Sequence, residues 1–309
     1  MTKRHVSLPE ETRATAEGFV EYVDERLSGD EDVYDVVTEV LVDLFGEREA
    51  YERMRDGEDL SPAERARLAS YDPRNATLES EYYAEVALGE EEFRRSKALQ
   101  WLWRQFDASP MADNVDFGHR FRGVLADHLF SEAGENLRLF KGITMTYGHN
   151  VTVGDNVVIH DDVHLDDRGE LVIGDRVSLA DGTHVYTHDH DVVDQTEVRN
   201  YRTVIGDDAR LTYDTMVRAG CEVGENALVG ARGVVQNDVP DHHIAVGMPA
   251  KSISIKPGFE DETIPIEEAN DRHQDDREIP YDLPEGLDTF DEFERPPRLS
   301  EPVQPHRRS

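Results

Sequence analysis

Between residues 150 and 240 the apolar positions follow neither the helical spacing of three and four nor the strand spacing of two. Val153, Ile159 and Leu165 stand six apart. Two extra residues follow, and Ile173, Leu179 and Val185 resume the step. After a longer interruption Ile205, Leu211, Val217, Val223, Val229 and Val235 keep it without a miss. The residue after the aliphatic is often glycine: Gly154, Gly174, Gly206, Gly224 and Gly230. The fourth residue after it is small or β-branched, as at Val157, Val163, Val177, Thr183, Ala209, Thr215, Cys221, Ala227, Gly233 and Val239. This is the hexapeptide pattern of a parallel β-helix. Three hexapeptides make one triangular coil, and the aliphatic residue points inward to stack on its equivalent in the next coil. Each coil touches only its neighbours, so the open ends need covers.

The flanks have other periods. Residues 1 to about 130 read as helices. Val33, Val36, Val37, Val40, Leu41 and Leu44 form one apolar stripe, and Ser61, Pro62 and Glu64 form a capping box with proline at the first helical position. "EEEFRRSKALQWLWRQF" is a further amphipathic helix carrying Trp101 and Trp103. This region is expected to cap the end of the repeat, with a substrate-facing lid as the alternative. The acidic, proline-rich stretch 258–309 cannot bury enough apolar surface to offset chain entropy and is expected to be a disordered tail. The organisation is therefore a helical region over 1–130, a repeat domain over 131–257 and the tail over 258–309.

Charge narrows the classes. The formal net charge is −34, and only Lys3, Lys97, Lys141, Lys251 and Lys256 stand against 28 arginines. A surface this acidic and this poor in lysine fits adaptation to high salt, where screening quenches self-repulsion. It disfavours nucleic acid and anionic membranes as partners, since both require a basic face. Cys221 is the only cysteine, so no intrachain disulfide forms and a reducing, cytoplasmic compartment fits. "MTKRHVSLPEETR" has no apolar run behind its charges, so no secretory leader is expected. Nowhere do 18 apolar residues follow one another, so no spanning segment is expected.

The interruption "THVYTHDHDVV" (183–193) places His184, His188 and His190 among Asp189, Asp191 and Asp194. An irregular excursion from a regular coil is costly unless it serves a function. With "YGHNVTVGDNVVI" (147–159), "LVIGDRVSL" (171–179), "VIGDDARL" (204–211), "VGENALVGARGVVQNDVP" (223–240) and "VGMPAKSI" (246–253), it resembles the left-handed β-helix acyltransferases, in particular the maltose and galactoside O-acetyltransferases. The likeness covers about residues 135–256, and "YERMRDGEDL" (51–60) extends it weakly. It implies a mainly β fold, a left-handed parallel β-helix with a helical N-terminal region, assembled as a homotrimer. It also implies transfer of an acetyl group from acetyl-CoA to a hydroxyl of a sugar or related small acceptor.

Counting rungs forward from Ile173, His190 falls where the family carries its catalytic base, and His188 lies one alternation away. Histidine suits the role because its pKa lies near operating pH, and its second ring nitrogen needs an acceptor to fix the tautomer. Asp189, Asp191 or a backbone carbonyl is the expected acceptor. By the same resemblance Asp167, with Asp166 as fallback, is expected to bind the acceptor. His160 occupies a position where the family has an acceptor-binding amide. Lys251, Lys256 and Arg232 are candidates for the coenzyme A phosphates, and Gly230 and Ala231 for the coils along which its pantetheine arm passes. Tyr213, in "RLTY" where the family has "WIG", departs from the pattern and brings the thioester path into question. No metal is expected. Two rival readings remain: a γ-carbonic-anhydrase-like zinc site drawn from His160, His164, His184, His188 and His190, and a non-catalytic trimeric scaffold.

Overall fold

The structure is a computed structural model describing residues 8–193, 198–270 and 277–282. The hexapeptide residues wind into a left-handed parallel β-helix of about six turns. Its three faces are built from two- to eight-residue strands paired almost wholly in parallel. On the first face Val153, Ile173, Ile205 and Val223 stack in register. On the second, Leu139, Ile159, Leu179, Leu211, Val229 and Ala245 do so. On the third, Met145, Leu165, Val185, Val217 and Val235 do so. Every one of these side chains is buried. The period of six thus delivers one inward aliphatic per face per coil, and the small fourth residues, from Val157 to Val239, fill the corners beneath them.

One corner explains the recurrent Gly-Asp pairs. At Gly154-Asp155, Gly174-Asp175 and Gly206-Asp207 the aspartate side chain accepts the backbone N–H of the coil before. Asp155 accepts from Glu135, Asp175 from Asp155 and Asp207 from Asp175, at 2.7 to 2.9 Å. A Cβ at Gly174 would overlap the Asp207 carboxylate, so glycine lets the coils close up.

Six helices cover the N-terminal end: α1 (Glu10–Leu27), α2 (Val33–Leu44), α3 (Arg48–Arg55), α4 (Pro62–Ala69), α5 (Glu90–Asp107) and α6 (Val115–Leu129). The expected stripe of α2 is buried at Val36, Val37, Val40, Leu41 and Leu44, and the Ser61–Glu64 capping box forms. Phe121, Leu125 and Leu129 of α6 join one continuous core with Leu139 and Val151 of the first coils. Arg122, almost fully buried, donates to Asp107 at 2.8 Å and to the Leu139 carbonyl at 3.1 Å, pairing a backbone acceptor that the open end would strand. At the far end His243–Val246 and Lys251–Ile255 fold into an antiparallel pair that closes the last coil.

The stretch expected as tail is partly built. Ile266–Ala269 is a short helix with Ala269 buried, and Glu278–Ile279 pairs antiparallel with Asn200 and Tyr201. Arg277 anchors this strand to Asp238 and Glu222 at 2.8 Å. An apolar pattern carries no signal for a segment held by one arginine and one strand edge. The rest of the expected tail, 271–276 and 283–309, lies outside the described residues.

Candidate active site

The interruptions of the repeat all fall at one corner, between the third and first faces. In the lower coils it holds Tyr147–Asn150 and Asp166–Glu170, and in the next it opens into the excursion. His188–His190 runs antiparallel to Val198–Asn200, with His188 opposite Asn200 and His190 opposite Val198. Asp194 lies outside the described residues.

His188 is oriented by a buried carboxylate. Its Nδ1 bonds Asp166 Oδ2, and Asp166 is 1% exposed. Asp166 also accepts from the Thr146 hydroxyl at 3.1 Å and from Arg168 N at 3.2 Å. Burial pushes its carboxyl up, but His188, by hydrogen bond and charge, and the backbone N–H groups of Arg168 and Thr187 more than offset that and hold it below the ordinary carboxylate range. His190 is exposed, with its ring edge-on to His188 at 5.6 Å between centroids. Asp189 and Asp191, both expected as ring-orienting acceptors, each bind an arginine. Asp189 meets Arg218 at 2.8 Å, and Asp191 meets Arg199 at 3.1 Å. The carboxylate that orients the His188 ring comes from the coil below, 22 residues back in sequence.

Asp167 does not sit where an acceptor could touch it. It is wholly buried and closes the turn beneath the excursion, accepting from Tyr147 N at 2.7 Å and Asn150 N at 3.1 Å. Burial raises its carboxyl to about 7 despite those donors. Asp166 is committed to His188. His160 stacks on Phe140 at 4.9 Å at another corner, one coil down, away from His188 within one chain. His164 and His184 stand in register on the third face, with rings 5.6 Å apart. Among the described residues no three His, Cys, Asp or Glu side chains converge on a common point.

The coenzyme candidates divide between two corners. Gly230, Ala231 and Arg232 form one turn, closed over by Gly247 and Ala250 through Val234. Lys251 follows there, exposed. Arg232 is half-committed to Asp214 at 3.4 Å. Lys256 lies at the neighbouring corner, where its ammonium donates to Asn226 at 2.6 Å. Burial and then Arg210 lower its pKa. Tyr213 sits one coil below Arg232, accepting its N–H at 2.8 Å, with the side chain half-exposed.

No protein-family model matches the chain. Over 136 residues, 43% of this chain and 67% of the relative, it is 25% identical to the galactoside O-acetyltransferase of Escherichia coli (strain K12). Over 160 residues, 51% of this chain and 88% of the relative, it is 29% identical to the putative colanic acid biosynthesis acetyltransferase WcaF of the same organism. The chain resembles the hexapeptide-repeat acyltransferases. Among solved structures, a maltose O-acetyltransferase from Clostridium difficile 630 is 27% identical, covers 57% of this chain and 91% of its own, and superposes with a TM-score of 0.49. For this acyltransferase-like chain the excursion is the region of interest, because the surrounding coils are accounted for by packing. Among the described residues no helix is long and apolar enough to cross a membrane.

Sequence reasoning missed the surroundings of the excursion. Arg168 is buried beside Glu85 of the helical region, with Nε 3.1 Å from its carboxylate, and lies 4.1 Å from the centre of the Tyr83 ring. Tyr147, His149 and Asn200 line the adjoining hollow. A signal existed: the coils from Met145 and from Leu165 each carry two surplus residues at the corner where the excursion later emerges.

Proposed function

We propose that the protein is an acetyl-CoA-dependent O-acetyltransferase acting on a hydroxyl of a sugar or related polyol. The observation that carries this is a histidine strand, anchored by the buried Asp166–His188 pair, thrown out of a hexapeptide β-helix. The relatives named as galactoside and colanic acid acetyltransferases support the same reaction class. His190, presented to solvent at the place the rung count assigns to the base, takes the proton of the acceptor hydroxyl. The alcohol oxygen attacks the thioester carbonyl, the C–S bond breaks, and the thiolate leaves to be protonated. His188 is the positioning residue: fixed by Asp166, it holds the strand and the edge-on geometry of His190. Lys251 and Arg232, with the Gly230–Ala231 backbone, receive the coenzyme, and Lys256 stands too far round the coil to share that role. The active form is a cytoplasmic homotrimer adapted to high salt, in which a neighbouring coil completes the acceptor cleft and brings in His160.

The test is thiol release from acetyl-CoA at high KCl with a panel of sugars, for wild type, His190→Ala and His188→Ala. Acceptor-dependent release that vanishes in His190→Ala and falls in His188→Ala supports these roles. Release that survives His190→Ala but not His188→Ala exchanges them. No release with any acceptor from folded protein refutes the function.

A further inference from the structure

The strand that carries the histidines is not held by the β-helix alone. Its partner strand runs from Val198 to Ile205. Of that strand, Arg202–Ile205 pair with Glu170–Ile173 in the coil below, and Val204 and Ile205 with Glu222 and Val223 in the coil above. Residues 198–201 overhang the stack. Among the described residues their strand partners are His188–His190 on one side and Glu278–Ile279 on the other, with Asn200 opposite both His188 and Ile279. The Arg202 N–H extends the second pairing, donating to the Arg277 carbonyl at 2.9 Å. A segment from the stretch expected as tail is thus the third strand of the sheet that presents His188 and His190.

A two-residue pairing holds little by itself, and the segment is pinned beyond it at both ends. The Arg277 guanidinium grips Asp238 with two bonds, at 2.8 and 3.0 Å, and donates to Glu222 at 2.8 Å and to the Gly220 carbonyl at 2.9 Å. Asp238 also accepts the Glu222 N–H at 2.8 Å, so the grip reaches the backbone of the upper coil. A forked contact of this kind fixes direction as well as distance. Among the described residues Arg277 is the one cation lining a hollow walled by Glu222, Asp238, Asp241, Asp261 and Glu262, so charge selects this seat for it. Four residues on, the Tyr281 hydroxyl stands 3.4 Å from Glu85, the carboxylate that holds Arg168. The segment therefore crosses the base of the excursion from the upper coils to the helical cap.

We propose that residues 277–282 are a strap that fixes the histidine strand against the β-helix, with Arg277 as its anchor and a positioning residue for His190. Arg277 acts through the overhanging strand. Its effect on turnover rests on the proposed acetyl transfer, but its hold on the strand does not. A misplacement of about 1 Å at a reacting group costs about 100-fold in rate, so the strap acts on kcat. The coenzyme candidates Gly230, Ala231 and Lys251 lie at a different corner, so donor binding is independent of it.

The experiment is hydrogen–deuterium exchange of the full chain in high KCl, with thiol release measured alongside, for wild type, Arg277→Met, Arg277→Lys and Ile279→Pro. Proline removes a strand N–H and leaves the Arg277 grip in place, so it breaks the strap by a second route. Amides of 188–190 and 198–201 should exchange about tenfold faster in Arg277→Met and Ile279→Pro, while those of the coils at 151–165 keep their protection. Arg277→Lys keeps the charge, loses the fork and should fall between. In both strong variants kcat should drop about tenfold with KM for acetyl-CoA unchanged. Unaltered exchange at 188–201 in Ile279→Pro overturns the proposal. So does exchange that rises equally over all the coils, which would make the contact a general support. Faster local exchange with undiminished kcat overturns the positioning role of Arg277. Local protection lost in the variants of a protein that transfers no acetyl group would sink the proposed function and uphold the strap.

Discussion

Asp155 separates two contributions that its corner combines. Its carboxylate accepts Glu135 N at 2.7 Å, and its own N–H donates to Asp175 in the next coil at 2.8 Å. Replacement by alanine removes one hydrogen bond, about 1 kcal/mol net. Replacement by asparagine keeps an acceptor oxygen and removes only the charge. Successive strands lie about 5 Å apart, so Asp155 faces the like charge of Asp175 at about that distance, with the Arg176 guanidinium 3.6 Å from Asp175 setting the repulsion below its bare value. In dilute buffer a bare pair repels by about 0.8 kcal/mol at the dielectric of water. At molar salt the Debye length falls to about 3 Å and the repulsion shrinks several-fold. Asp155→Asn should therefore stabilise by up to about 0.8 kcal/mol in dilute buffer and be neutral in molar KCl. Asp155→Ala should cost less in dilute buffer, where lost bond and lost repulsion partly offset, and about 1 kcal/mol in molar KCl. Urea unfolding at the two salt concentrations measures all four differences, since urea adds no ions. An Asp155→Asn effect independent of salt would refute the electrostatic account and, with it, the reading of this surface as adapted to high salt.

Three further outcomes test the site's surroundings. Arg168→Met should destabilise by about 3–5 kcal/mol, because it leaves Glu85 unpaired at 10% side-chain exposure; a loss under 1 kcal/mol in thermal or urea unfolding would contradict a buried pair. Asp167 keeps its proton to about 7 when folded and to about 3.9 when unfolded, so between these the unfolded chain binds fewer protons. Its contribution is thus full below about pH 4 and is lost as pH rises through about 7, by about 4 kcal/mol, and Asp167→Asn should flatten that slope in unfolding followed from pH 4 to 8. Gly169→Ala would drive a Cβ into the Tyr201 backbone carbonyl beneath the excursion, and should cost about 1–3 kcal/mol and lower thiol release, whereas wild-type stability would rule out so close an approach.

The β-helix was legible because its signal is local and redundant. Each coil repeats the same inward aliphatic, so Val153, Ile173 and Ile205 announce a stack before any contact is known. The helical cap was legible from the stripe of α2 and the Ser61 box for the same reason. The excursion was legible as a break in the period, and it named His188 and His190. The sequence could not say that Asp166, rather than the adjacent Asp189 or Asp191, orients a ring, because that pairing depends on one coil lying over another. Nor could it tell Asp166 from its neighbour Asp167, which turns inward to hold a turn. The cavity walls come from residues 85–93, 147–150, 168–170, 200 and 279–281, which no period links. Periodic burial is written into a chain one residue at a time, whereas a site gathered from five separate segments exists only once tertiary packing has brought them together.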